Sequence, residues 1–297
     1  TPPTFVNIKL PNLKKLSLDR SSLPADFLVP IINGSPSLGS ISAQHCKNID
    51  LKLLFDALSQ HKDLKEINFS NNNFVPEKEL IQLLKSHKVK SLTFNNSASW
   101  LSDKMFEEIG KVCSPHLIKF CSNDFFALKD DSVENFVACC SSVRIFSLAN
   151  CWNLTDAAVE SIAKYCGDLE ELNVDGCSLI TDNSLAVLSN QFSMSLKSLS
   201  VQDCELISSS GLEVLASACP LLQKFDMNGN RTTLEAITQN CHDLRMLRVR
   251  GNHHFLHAPL LEELSLSCPK VHTISIENNF YLDSRAVVAM TKNWKHL

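Results

Sequence analysis

Residues 143–169 read VRIFSLANCWNLTDAAVESIAKYCGDL, and residues 169–196 read LEELNVDGCSLITDNSLAVLSNQFSMSL. Each stretch opens with apolar residues at its first, fourth and sixth positions, as in Leu169, Leu172 and Val174. Alternation at the fourth and sixth positions is one face of a short strand. Some seven to ten residues further on the period becomes helical. Val159, Ile162, Ala163 and Cys166 fall at i, i+3, i+4 and i+7 and form one apolar stripe. Thr155-Asp156 and Thr181-Asp182 stand between the two patterns, where their side-chain oxygens can cap free amides at a helix start. The unit is therefore strand, turn, helix.

Working outward, the same pattern recurs eleven times, with starts at Leu13, Leu38, Leu64, Val89, Leu117, Val143, Leu169, Leu196, Leu222, Leu244 and Val271. Successive starts are 22 to 28 residues apart, which is a repeat period. The helical stripe returns as Val133, Phe136, Val137, Cys140 and as Leu212, Leu215, Ala216, Cys219. Ser102-Asp103 gives a further helix start, and Pro76 suits a first helical turn, where its missing N–H costs nothing.

Twelve cysteines fall mostly into two columns of this alignment. The ninth position runs Ser21, Cys46, Asn72, Ser97, Phe125, Cys151, Cys177, Cys204, Asn230, Asn252, Asn279. Small hydrogen-bonding side chains there suit the turn leaving each strand, whose amides need partners. The helix slot runs Gly34, His61, His87, Cys113, Cys140, Cys166, Phe192, Cys219, Cys241, Cys268, Trp294, and a position accepting such different residues is a packing position. Free cysteine behaves as a small buried hydrophobe. Neighbouring ladder cysteines one strand apart would be within disulfide reach, yet Cys151–Cys177 and Cys177–Cys204 bridges are expected to be absent. His253, His254 and His257 beside Cys268 match no zinc spacing, and Cys139-Cys140 has no activating base. No phosphate loop or metalloprotease helix occurs, so no catalytic residue, metal or cofactor is expected.

The chain has 297 residues, 44% of them hydrophobic, and a formal charge of −4, which argues against a surface built mainly to grip nucleic acid. No apolar run is long enough to span a membrane, and the segment after Thr1 is not a signal peptide. The chain is expected to be a piece of a longer one, lacking extensions at both ends. Five glycosylation sequons, beginning at Asn33, Asn68, Asn95, Asn153 and Asn230, pull mildly toward secretion.

With 196–222, LKSLSVQDCELISSSGLEVLASACPLL, as a third close match, these stretches resemble the cysteine-containing leucine-rich repeats of F-box/leucine-rich-repeat proteins. The resemblance spans nearly the whole chain and is strongest over 143–222. Earlier repeats diverge, with His61 and His87 in the cysteine slot, and Asn230, Asn252 and Asn279 replace the ladder cysteine later. It implies an α/β solenoid, one domain over 1–297, bent into a horseshoe. Strands step about 4.8 Å and helices about 10 Å, so the parallel sheet lines the concave face and the helices the convex one. It also implies substrate recognition for a cullin-RING, SCF-type ubiquitin ligase, with the adaptor held by an F-box outside these residues. A leucine-rich subunit of a DNA-repair ubiquitin ligase is a related reading. A scaffold without a ubiquitin role and a secreted receptor are the others. A cytoplasmic or nuclear protein that binds other proteins, not nucleic acid or membrane, is the expectation.

Fifth-position side chains point into the concavity and are mostly small and polar, among them Ser147, Asn173, Ser200, Asp226, Arg248 and Ser275. Charge gathers toward one end. Glu170, Glu171, Asp175, Asp203 and Asp226 make an acidic area beside Arg245, Arg248 and Arg250, followed by His253 and His254. Repeat nine is short and a longer loop follows, so this region is the candidate partner contact, with Trp152 as a rim anchor. Arginine reads carboxylates bidentately and is enriched at binding hot spots. The alternative is that the arginines pair with those acids and keep the surface soluble.

Overall fold

The computed structural model describes residues 8–46, 49–97, 99–250, 258–276, 284–295 and 297. They fall into two compact units, Thr1–Val143 and Arg144–Leu297. The first unit holds β1 (Lys15–Ser17), α1 (Ala25–Asn33), β2 (Ser40–Ser42), α2 (Leu51–Leu58), β3 (Glu66–Asn68), α3 (Glu77–Ser86), β4 (Ser91–Thr93), α4 (Asp103–Cys113), β5 (Lys119–Cys121) and α5 (Asp130–Cys139). The second holds β6 (Ile145–Ser147), α6 (Asp156–Tyr165), β7 (Glu171–Asn173), α7 (Asp182–Phe192), β8 (Ser198–Ser200), α8 (Ser209–Ala218), β9 (Lys224–Asn228), α9 (Arg231–Asn240), β10 (Met246–Arg250), α10 (Ala258–Ser267), β11 (Thr273–Ile276) and α11 (Ser284–Asn293).

Within each unit every strand pairs in parallel with the next in sequence, without a register slip. The fourth-position residues align as Leu16, Ile41, Ile67, Leu92, Phe120 in the first unit. They align as Phe146, Leu172, Leu199, Phe225, Leu247, Ile274 in the second. A slip of one residue would turn this whole row outward, so the burial of Ile41 to Phe120 and of Phe146 to Leu247 fixes the register. The first-position residues Leu38, Leu64, Leu117, Leu169, Leu196 and Leu222 are fully buried behind it.

The core of the first unit is aromatic. Phe120 packs on Phe136 at 4.5 Å and on Phe106 at 5.4 Å between ring centroids, and Phe94 meets Trp100 edge-on at 5.5 Å. Such pairs add to simple area burial. Aliphatic side chains and cysteines dominate the second core.

Three ladders tie repeat to repeat. The eighth position is left-handed at Arg20, His45, Asn71, Asn96, Asp124, Asn150, Gly176 and Asp203. There the chain turns off the sheet while the N–H still reaches the next repeat, as from Asn71 to Asn95 O (2.8 Å) and from Gly176 to Gln202 O (2.7 Å). The ninth position supplies the second ladder. The thiols of Cys46, Cys177 and Cys204 donate to Leu18 O, Leu148 O and Val174 O at 3.2, 3.3 and 3.1 Å, always the sixth residue of the preceding repeat. Asn72 fills the same slot with a carboxamide, donating to Ala43 O at 2.8 Å and accepting from Cys46 N at 2.9 Å. The third runs down the helix slot, from Trp294 Nε1 to Cys268 O (2.9 Å) and from Cys268 Sγ to Cys241 O (3.3 Å). All twelve cysteines are free thiols, and eleven are buried.

Ser102, Thr155 and Thr181 cap α4, α6 and α7, and Pro76 stands one residue before α3. The aspartates that follow the caps have a role beyond their own helix. Asp156 accepts from Thr181 N (2.9 Å) and Thr181 Oγ1 (2.6 Å), and Asp182 accepts from Ser208 N (2.8 Å). Repeat nine departs from the ladder expected at Asn230. Only two residues separate β9 from α9, and the Asn230 side chain caps that helix by accepting from Thr233 N at 3.0 Å. The 22-residue repeat is short because it omits the turn segment that repeat eight has between β8 and α8.

Candidate partner-binding surface

The face of the sheet turned away from the helices is a grid in which strands are columns and odd motif positions are rows. In the second unit the fifth-position row reads Asn173, Ser200, Asp226, Arg248, Ser275. The third-position row reads Glu171, Ser198, Lys224, Met246, Thr273. Charged groups on this grid are mutually engaged. Arg248 Nη1 lies 3.5 Å from Asp226 Oδ2, Arg250 Nη1 lies 3.4 Å from Asp203 Oδ2, and Lys224 reaches over Ser198 to Glu171 at 3.7 Å.

Asp226 is the electrostatically unusual member. Burial, and then the neighbouring Asp175 carboxylate, push its pKa up to about 6 despite Arg248. Its Oδ1 is buried without a hydrogen-bond partner among the described residues. Burial also raises Asp175, against hydrogen bonds from Ser200 Oγ (2.7 Å) and Gln202 N (2.7 Å). Asp175 is thus a structural acceptor as well as a charge. The same seventh-position device recurs at Asp19, which accepts from Ser42 Oγ (2.6 Å) and Gln44 N (3.0 Å). A recurring Asp, Ser or Asn at this position was its signal in the sequence.

Of the residues singled out from the sequence, the fold brings together Asp175, Asp203, Asp226, Arg248 and Arg250. Arg245 stands outside this group, exposed and just before β10. Trp152, 53% exposed, stands in the turn after β6 and not on the sheet face. His253 and His254 lie outside the described residues. Sequence reasoning missed a depression of about 1010 Å³ in the first unit, lined in part by His45, Asn71, Asn96, Lys52 and the 70%-exposed Phe74. Among the described residues no cluster of three or more His, Cys, Asp or Glu could hold a metal ion, and no helix is long and apolar enough to cross a membrane.

This architecture has known counterparts. Rad7 of yeast, solved in complex with Elc1, superposes with a TM-score of 0.69 at 17% identity, covering 92% of this chain and 78% of that one. The leucine-rich-repeat protein LegL7 of Legionella pneumophila superposes with a TM-score of 0.61 at 15% identity, over 95% and 98% of the two chains. The fold is a leucine-rich-repeat solenoid. In sequence, the solenoid is 22% identical over 209 residues to the DNA repair protein rhp7 of Schizosaccharomyces pombe. That match takes in 59% of this chain and 36% of rhp7, so the solenoid spans about a third of that relative's length. No family model matches the chain.

Proposed function

We propose that the chain is a protein-recognition module of a cullin-RING ubiquitin ligase and binds its partner on the open sheet face over β7–β10. The observation that carries this reading is the in-register row Asn173, Ser200, Asp226, Arg248, a polar surface presented by a rigid sheet with a partly buried acid at its centre. A surface of this kind recognises by complementary charge and hydrogen bonding, which is the role proposed for it. Arg248 and Arg250 pair with Asp226 and Asp203 in this state, and the exposed Arg250–Asp203 pair is weak enough to exchange for a partner's carboxylate.

Two versions remain: a substrate receptor joined to its adaptor by an F-box, and a subunit of a DNA-repair ubiquitin ligase. The likeness to rhp7 and to Rad7 favours the second. Nuclear localisation goes with it, and imaging of the tagged full-length protein tests that directly. The eleven repeats are further proposed to act as one domain, for which a single calorimetric unfolding transition is expected and two separable transitions would be contrary. Replacement of Arg245, Arg248 and Arg250 by alanine is expected to abolish capture of the natural partner while leaving the far-ultraviolet dichroism spectrum and melting behaviour near wild type. Unchanged capture would remove the sheet face from the account.

A further inference from the structure

The strands of the first unit begin at an edge that neither the grid nor the proposed function uses. Its second-position residues are Lys14, Gly39, Lys65, Lys90 and Ile118. Their backbones form a continuous line: Gly39 N donates to Lys14 O at 2.9 Å, and Lys65 N to Gly39 O, Lys90 N to Lys65 O and Ile118 N to Lys90 O, each at 2.8 Å. Consecutive members therefore step by one strand spacing, about 4.8 Å. Lys62 and Lys88 lie just before their strands, and Lys119 opens β5. Five of these six lysines are exposed and Lys119 is half-buried. None of the six forms an ion pair among the described residues: Asp63, between Lys62 and Lys65 in the chain, pairs with none of them, and Glu66, on the adjacent third-position row, is engaged by Lys15 at 3.4 Å.

Most of the corresponding cations in the second unit are neutralised within the fold, Arg245 being the exception among the described residues. Arg144 pairs with Asp168 (3.6 Å) and Glu170 (3.5 Å), Lys197 with Glu170 (2.7 Å), and Lys270 with Asp243. Unpaired cations in a line are thus a property of the first unit and not of the repeat. In a chain with net charge −4 this concentration of one sign favours an anionic partner.

We propose that this edge of the first unit docks an acidic segment of a protein partner. Carboxylates one turn apart on a helix step about 5.4 Å, close to the strand spacing, so an acidic helix of about 16 residues, about 24 Å long, can follow the line. Nucleic acid fits less well: there is no arginine in the row for bidentate phosphate contact, and no aromatic on which a base could stack. The proposal is independent of the ligase reading and of the sheet face above.

The test is fluorescence anisotropy of the full chain with a labelled helical peptide of about 16 residues carrying glutamate at every third or fourth position. A glutamine counterpart and single- and double-stranded DNA of similar length serve as the other probes. The glutamate peptide is expected to bind. Its affinity should fall about tenfold or more in the triple variant Lys14→Glu, Lys65→Glu, Lys90→Glu, and should stay within about twofold of wild type when the same lysines become arginine. Circular dichroism of each variant confirms the fold. No binding of the glutamate peptide, or equal binding by the glutamate variant, would overturn the proposal. Tighter, lysine-dependent binding of DNA would overturn it too, in favour of nucleic acid.

Discussion

Asn72 Nδ2 lies 2.8 Å from the carbonyl oxygen of Ala43, one repeat back, in the slot from which the Cys177 thiol reaches Leu148 O at 3.3 Å. The two side chains do one job with unequal strength. A thiol is a weak donor that leaves little unsatisfied when removed, whereas the carboxamide also donates to Phe69 O at 2.8 Å and accepts from Cys46 N at 2.9 Å. Asn72→Ala should therefore cost about 2–4 kcal/mol through several unsatisfied buried backbone groups, against about 1 kcal/mol for Cys177→Ala. Urea denaturation of the two variants checks the ranking, and equal losses would contradict it.

The thiols themselves should be silent. Burial pushes Cys113, Cys166, Cys177, Cys204, Cys241 and Cys268 up to about 12 and Cys219 to about 11, so thiolate is scarce at neutral pH. Cys139 alone is part-exposed. Iodoacetamide at pH 7.5 followed by intact mass measurement should label Cys139 in the native chain and all twelve cysteines after denaturation. Non-reducing peptide mapping should find no Cys151–Cys177 or Cys177–Cys204 bridge.

Asp226 gives a pH dependence with a definite sign. Its native pKa of about 6 exceeds the unfolded value of 3.8, so the folded state holds the proton more tightly. The stability this confers is complete below 3.8 and is lost as pH rises through about 6. Asp226→Asn removes the charge that is costly at neutral pH and should stabilise the chain by about 1–2 kcal/mol at pH 7.5, net of the lost Arg248 pair. The melting curves of variant and wild type should converge near pH 4. A variant less stable than wild type at pH 7.5 would contradict this.

Gly176 is the one glycine among the eight left-handed eighth positions, at φ +67°. A Cβ there would also meet Asn150 Oδ1 at 2.2 Å. Gly176→Ala should cost about 1–3 kcal/mol by combining backbone strain with that clash, and moving the Asn150 carboxamide by Asn150→Ala should recover part of it. Thermal melts of the two single variants and the double variant measure the coupling.

What was legible in the sequence is what repeats locally. Apolar first, fourth and sixth positions, the helical stripe, and the Thr-Asp and Ser-Asp caps gave strands, helices and their order. The left-handed eighth position was not legible, because Arg20 and His45 occupy it as well as asparagine and glycine. There a hydrogen bond from the backbone N–H to a carbonyl of the following repeat sets the conformation against local preference. Asp156 likewise reads as a first-turn acid of its own helix, while its bonds to Thr181 lie 25 residues away. For the candidate surface, the concentration of charge was visible, but its pairing depends on register. Arg248 faces Asp226 because β9 and β10 align those two residues, and Lys224 finds Glu171 two strands away because Ser198 between them is small.

The most direct test of the recognition role is quantitative affinity purification of the full-length protein from its native cells, wild type beside the Arg245, Arg248 and Arg250 triple alanine variant. The account predicts cullin and RING subunits with both proteins, and a set of ubiquitinated proteins that is recovered with the wild type and lost with the variant. Absence of every ligase subunit from the wild-type purification would contradict it.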